Sequence, residues 1–247
     1  DKEINKEIKK IEYSLEEIEK GDFDHFMLKE IYHQPEAVLD STRGRILDNG
    51  KIKLGGIEDF SDKIINCNQI YITACGTSWH AAQIGSYIFE ELLEKPVKVE
   101  YASEFRYRKT PINKNSLLIA ISQSGETADT LAAIKKAKDI GALTLGLVNV
   151  VGSSIARETE CGIYMHAGPE IGVASTKAFT CQVTTLILMG LYLAQKNDNI
   201  NFDIYCKTAS ELKKVPKLIK KILELDNDIF QISKKYIESN NFLYLGR

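Results

Sequence analysis

An α/β fold built on a mostly parallel five-stranded sheet is what the sequence predicts, and three observations carry that reading. From residue 69 onward, short β-rich apolar runs recur at residues 69–74, 97–101, 117–122, 143–148 and 162–166. Amphipathic stretches fill the gaps, at about 78–95, 126–140 and 175–196, with a short one near 153–159. Such alternation implies βαβ crossovers, which set strands parallel and lay helices on both faces of the sheet. The third observation is size: 247 residues, 44% hydrophobic and 27% charged, suffice for one sizeable core with appendages.

The elements flanking that alternation follow from local pattern. Ile4, Ile8, Ile11, Leu15 and Ile18 lie at helical spacing on one face of a charged N-terminal helix ending near Gly21. Residues 26–33 read as a second helix halted by Gln34-Pro35, and residues 45–54 as a hairpin around Asn49-Gly50. Residues 203–240 are helical and charged, with Pro216 expected to divide them. The ending Phe242-Leu243-Tyr244-Leu245-Gly246-Arg247 resembles a strand entering a loop, the opening of a βα unit, and suggests an excised piece whose next lobe is missing. The resulting partition is a lead-in and hairpin at 1–58, the sheet domain at 59–198, a helical linker at 199–240 and the truncated start of a second lobe at 241–247.

Charge narrows the class of partner. A net charge of -2 offers no basic excess to a nucleic-acid backbone, so a small molecule is the expected ligand. Five widely spaced cysteines, no C-x-x-C pair and no basic-then-apolar leader point to reduced thiols and a cytoplasmic location. The longest apolar stretch, residues 183–194, is too short to span a bilayer and reads as a buried core helix.

In parallel sheets, ligands collect where a strand's carboxyl end meets the next helix's N-terminus, since free N–H groups and the helix dipole favour an anion there. Three such loops carry polar residues. The first is Cys75-Gly76-Thr77-Ser78, which suits a ligand with oxygens and equally suits a plain Ser/Thr helix cap. The second is Ser122-Gln123-Ser124-Gly125-Glu126-Thr127, whose hydroxyl density exceeds what one cap needs and whose glycine lets N–H groups converge on a phosphate. The third is Gly168-Pro169-Glu170-Ile171-Gly172-Val173-Ala174-Ser175-Thr176-Lys177, where Ser175 could cap the helix or touch a ligand. Lys177 invites a Schiff-base role, but a structural or electrostatic one ranks above it. Glu126 and Glu170 read as helix-dipole or packing carboxylates.

These three motifs, in this order, resemble the sugar isomerase (SIS) domain of the glutamine–fructose-6-phosphate aminotransferase (glucosamine-6-phosphate synthase) family. Residues 25–31 with Gln34-Pro35, and residues 102–108, are similar to flanking segments of the same family, so the resemblance runs from about residue 20 to the end. It departs at His33, where glutamate is common, and at Trp79-His80, where tyrosine is.

The resemblance implies a three-layer α/β/α sandwich of Rossmann-like topology, the first of two such lobes, preceded in the full enzyme by a glutaminase domain absent from this chain. It implies an enzyme of hexosamine synthesis that aminates fructose 6-phosphate with ammonia from glutamine and isomerises ketose to aldose, giving glucosamine 6-phosphate. By matching positions, Ser122, Gln123, Ser124 and Thr127 would hold the phosphate, and Gly76, Thr77, Ser78, Val173 and Ser175 would line the sugar. The family's catalytic lysine, glutamate and histidine lie beyond this chain, so no catalytic residue is expected in it. A homodimer, through the apolar third helix or the N-terminal helix, is also expected.

No cofactor or metal is expected. His80 and His166 lack companions at ligand spacing and read as structural, and Cys75 as a small packing residue or an oxidisable thiol. A sugar-phosphate-sensing module without turnover is the rival reading. A nucleotide-binding domain is disfavoured because neither G-x-G-x-x-G nor G-x-x-x-x-G-K-[ST] occurs.

Overall fold

The computed structural model describes residues 18–197 and 202–245. The N-terminal helix expected from Ile4 to Ile18 lies almost wholly outside them.

Five strands form one parallel sheet in the order β2-β1-β3-β4-β5. They are β1 (Gln69–Ala74), β2 (Val97–Tyr101), β3 (Ser116–Ser122), β4 (Leu143–Val148) and β5 (Cys161–Tyr164). Every residue of β3 is buried, as a central strand covered on both faces requires. Successive side chains point to opposite faces, and the two cores divide accordingly. Ile70, Ile72, Leu117, Ile119, Leu145 and Leu147 face one layer; Tyr71, Leu118, Ala120 and Val148 face the other.

The first layer is made by α4 (Thr77–Leu93) and α8 (Lys177–Lys196). Gly85 of α4 lies beneath Leu186, and Gly190 of α8 beneath Ile88 and Leu92. A Cβ on Gly85 would sit 2.9 Å from Leu186 Cδ1, and one on Gly190 3.0 Å from Ile88 Cγ2. The absent side chains thus let the two helices approach closely. The second layer holds α5 (Ala102–Phe105), α6 (Ala128–Ile140) and α7 (Ser154–Glu158). At 20 residues α8, within which the apolar stretch 183–194 lies, fills nearly the whole helix expected at about 175–196. By length and composition it could cross a membrane, but 72% of its apolar window is buried inside this fold.

The lead-in joins the first layer. Helices α1 (Phe26–Tyr32) and α2 (Gln34–Thr42) are separated at His33, and Pro35 falls in the first turn of α2, where its missing N–H costs no hydrogen bond. The hairpin is present as a single bridge between Ile46 and Ile52, closed by Gly50 at φ +78°. A 3₁₀ turn (Gly55–Phe60) and α3 (Ser61–Ile65) then lead into β1. Tyr205 fastens the hairpin, accepting from the Ile52 amide at 2.9 Å and donating to Gln195 Oε1 at 2.6 Å.

Three expectations need correction. Strand β5 stops at Tyr164 rather than continuing to His166, because His166 takes a left-handed φ of +56° that no strand accommodates. Pro216 does not divide the C-terminal helix: α9 runs unbroken from Phe202 to Leu223. Tyr205, Ala209, Leu212 and Pro216 form its buried stripe at helical spacing, so packing offsets the roughly 3 kcal/mol that an interior proline costs. The break falls at Glu224–Leu225, beyond that stripe, and α10 (Asp226–Lys234) buries no residue. Residues 241–245, expected as a strand, pair with none among the described residues.

Candidate functional site

After β1 the chain moves outward to β2; after β3 it proceeds the other way, to β4 and β5. The loops following β1 and β3 therefore diverge above two adjacent strands, the topological switch point at which open α/β sheets bind ligands. The first two polar loops stand there, and all three lie at the carboxyl edge of the sheet.

In the first loop, Gly76 adopts φ +56°, ψ −134° immediately before α4, a conformation that a side chain would strain. No side chain caps α4 at this position. Thr77 is half-buried and Ser78 buried. Ser78 Oγ accepts a hydrogen bond of 2.8 Å from Nε2 of Gln182, a fully buried residue of α8. Trp79 stacks face to face on Tyr101, centroids 4.4 Å apart, and walls that side of the loop.

In the second loop the hydroxyls of Ser122 and Thr127 lie 3.0 Å apart, and the Gly125 amide donates to Ser122 Oγ at 3.0 Å. Thr127 is the N-cap residue of α6, yet its side chain makes no cap bond and turns to Ser122 instead. The first-turn N–H groups of this 13-residue helix are thus left without a side-chain cap, as an anion site needs. Ser124 Oγ accepts from the Glu126 amide at 3.2 Å, and Gln123 is half-buried beside it. Only glycine fits at 125: φ is +67°, and a Cβ would fall 2.0 Å from Ser153 Oγ. Glu126 faces away from the loop, accepting from the amide and hydroxyl of Ser154, both at 2.7 Å. Those two hydrogen bonds hold its carboxyl below the usual range. It serves α7, as the packing role expected for it requires.

The third loop is held by two carboxylates. Glu170 accepts from Ser175 Oγ at 2.8 Å and from the amides of Thr176 and Ala178 at 2.9 and 3.0 Å, so it supplies the N-terminal cap of α8. Glu30, buried in α1, accepts from the amides of Ile171 and Gly172 at 2.6 and 3.0 Å. Lys177 is buried near both; burial lowers its ammonium pKa, and Glu30 and Glu170 pull it back up. The lysine thus belongs with the loop's supporting carboxylates. Between them Val173 projects fully into solvent, and Ser175 is half-buried.

The nine residues singled out from the sequence therefore sit on one edge, in three groups. Ser122 and Thr127 meet directly. The third loop follows β5, two strands away from β3, but α8 returns across the sheet so that Gln182 reaches Ser78. Two supporting residues escaped the sequence reading. Glu30 appeared there only within a resembling segment; a charged pair, Lys29-Glu30, between apolar residues of a short helix was its only local sign. Gln182, one polar residue in an apolar helix, gave even less.

Sheet order, layers and strand-end loops define a doubly wound α/β ligand-binding domain. Residues 63–191 match the SIS domain family, and the chain belongs to it. The chain is 50% identical over 246 residues to the glutamine–fructose-6-phosphate aminotransferase [isomerizing] of Chlorobaculum tepidum and 48% identical to that of Bacteroides thetaiotaomicron, covering 99% of this chain and 40% of either relative. The structure resembles the C-terminal domain of glucosamine-fructose-6-phosphate aminotransferase from Francisella tularensis, with TM-score 0.83 and 39% identity, covering 88% of this chain and 61% of that one. The chain thus spans about two fifths of the length of the curated relatives it matches.

Proposed function

We propose that this chain is the first sugar-phosphate-binding half of the isomerase module of a glutamine–fructose-6-phosphate aminotransferase, serving amino-sugar synthesis in the cytoplasm. The observation that carries the reading is the second loop. Its paired Ser122 and Thr127 hydroxyls, the Ser124 hydroxyl and the side-chain-uncapped N-terminus of α6 stand together at the switch point. That set offers a phosphate several donors without a lysine or arginine, each worth about 1.5–3 kcal/mol to a charged acceptor. The high identity to aminotransferases along nearly the whole chain supports fructose 6-phosphate and glucosamine 6-phosphate as the ligands.

Gln123 completes the phosphate loop in this reading, and Gly76, Thr77, Ser78, Val173 and Ser175 line the sugar. The isomerisation acid–base groups and the glutaminase belong to other parts of the polypeptide, and the active form is a homodimer. Exposed apolar residues in and after α10, among them Ile229, Phe230, Ile237 and Tyr244, give those parts a face to cover.

The test is calorimetric titration with fructose 6-phosphate, glucosamine 6-phosphate and unphosphorylated fructose, on this chain and on the full-length polypeptide. Binding that requires the phosphate and is abolished by combined Ser122→Ala, Ser124→Ala and Thr127→Ala is the expected result. A full-length polypeptide that binds neither sugar phosphate overturns the reading.

A further inference from the structure

We infer that Gln182 is a positioning residue that sets the direction of the Ser78 hydroxyl, so that Ser78 donates its proton to an acceptor oxygen of the bound sugar phosphate. The inference rests on the reading above, in which Ser78 lines the sugar.

The argument is one of donors and acceptors. Gln182 is 1% exposed, and its Nε2 donates to Ser78 Oγ at 2.8 Å. A hydroxyl has one proton and two lone pairs. With a lone pair of Ser78 taken by the amide, its proton is left for another partner, and Ser78 donates no hydrogen bond to any described residue. The hydroxyl sits in the first turn of α4, two residues after Gly76, at the carboxyl edge where the first loop opens. The other amide orientation would have Gln182 accept from Ser78 and leave two buried N–H groups orphaned. The orientation adopted pairs one of those N–H groups with Ser78 and leaves the second, with the carbonyl Oε1, without a partner among the described residues; it orphans one donor fewer, and orphaned buried donors are the rarer and costlier case. Gln182 is thus a fixed donor, and Ser78 becomes a donor in turn.

The experiment uses the full-length polypeptide and reads KM for fructose 6-phosphate and kcat separately, from pH 6 to pH 8.5, with thermal melts confirming folding. Gln182→Met, of similar length and without hydrogen-bonding groups, frees the hydroxyl; KM is expected to rise about three- to tenfold with kcat changed less. Gln182→Glu reverses the polarity when ionised, because a carboxylate only accepts and draws the Ser78 proton to itself. KM in that variant is expected to rise more than tenfold at pH 8.5 and to recover toward pH 6, where a buried glutamate protonates and donates again. The parent's KM shows no such trend. If Gln182→Glu fails to fold, Gln182→Met in a Ser78→Ala background decides: no further rise in KM beyond that of Ser78→Ala is expected.

Unchanged KM in Gln182→Met, or a Gln182→Glu enzyme as tight as the parent at pH 8.5, overturns the inference, as does full additivity with Ser78→Ala. Each of those results leaves the proposed function standing if the parent turns over fructose 6-phosphate. A parent that does not do so removes the function itself.

Discussion

The buried carboxylate of Glu30 accepts hydrogen bonds from the amide of Gly172 at 3.0 and 3.2 Å, tying the lead-in helix α1 to the third ligand loop. Sequence separation between the two is large, so the loop's shape depends on a segment that precedes the sheet. Charge-assisted bonds to a buried carboxylate are among the stronger ones.

Glu30→Ala is therefore expected to lower stability by about 2–4 kcal/mol, because the Ile171 and Gly172 amides lose the buried carboxylate that accepts from both. Gly172→Ala should act in the same direction, since its Cβ would fall 2.6 Å from Glu30 Oε2. Urea denaturation curves of both variants check this; midpoints equal to the parent's would show that the tie carries no stability.

Gly125→Ala should cost more than an ordinary loop substitution, about 2–4 kcal/mol. It combines a left-handed backbone with a methyl group placed 2.0 Å from Ser153 Oγ. The displaced segment includes the start of α7, whose Ile155 amide donates to the Gly125 carbonyl at 2.9 Å. Thermal melting, with sugar-phosphate titration beside it, should show loss of stability and of affinity together.

Thr127→Val keeps the shape of the α6 cap residue and removes a hydroxyl that caps nothing. Stability should stay within about 1 kcal/mol while affinity for a sugar phosphate falls about tenfold. Calorimetry on the full-length polypeptide measures the second number, and an unaltered Kd would take Thr127 out of the phosphate site.

Thiol reactivity should divide by burial. Burial pushes the Cys181 thiol up to about 11 and the Cys161 thiol up to about 12, and raises that of Cys67 as well. Cys75 and Cys206 are only half-buried. Iodoacetamide at pH 8 is expected to label Cys75 and Cys206 and to spare the other three, as read by peptide mass spectrometry.

His33 and His166 both have pKa values lowered, first by burial and then by nearby cations, Lys177 and Lys29 for the former and Arg45 for the latter. Below about pH 6.5 the unfolded chain binds protons at these positions that the folded chain refuses. Stability should thus fall as pH drops through 6.5 toward the folded values, and be free of this penalty above 6.5. Urea midpoints from pH 7.5 to 5.5 test it, and His166→Asn should flatten part of the slope.

Much of the fold could be read from the chain because its signals are local. Continuous apolar runs in β1 and β3, glycines at strand ends and apolar stripes at helical spacing arise from geometry within a few residues of each other. The strands at Gln69–Ala74, Val97–Tyr101 and Leu143–Val148 coincide with their expected limits for that reason. The polar loops were legible on the same ground, since a hydroxyl-rich turn between strand and helix names its own position.

Other features had no local cause. Whether Pro216 breaks a helix depends on the surface against which Tyr205 and Leu212 pack, and His166 ends β5 through a backbone conformation no propensity announces. Sequence by itself determined which residues stand at strand ends with oxygens to offer. Tertiary structure decided that Thr127 faces Ser122 instead of capping its helix, that Glu30 holds the third loop, and that α8 crosses back to set Gln182 against Ser78. The last two pairings join residues remote in the chain, and hydrogen-bond partners across such distances are chosen by packing of whole layers, which no window of sequence contains.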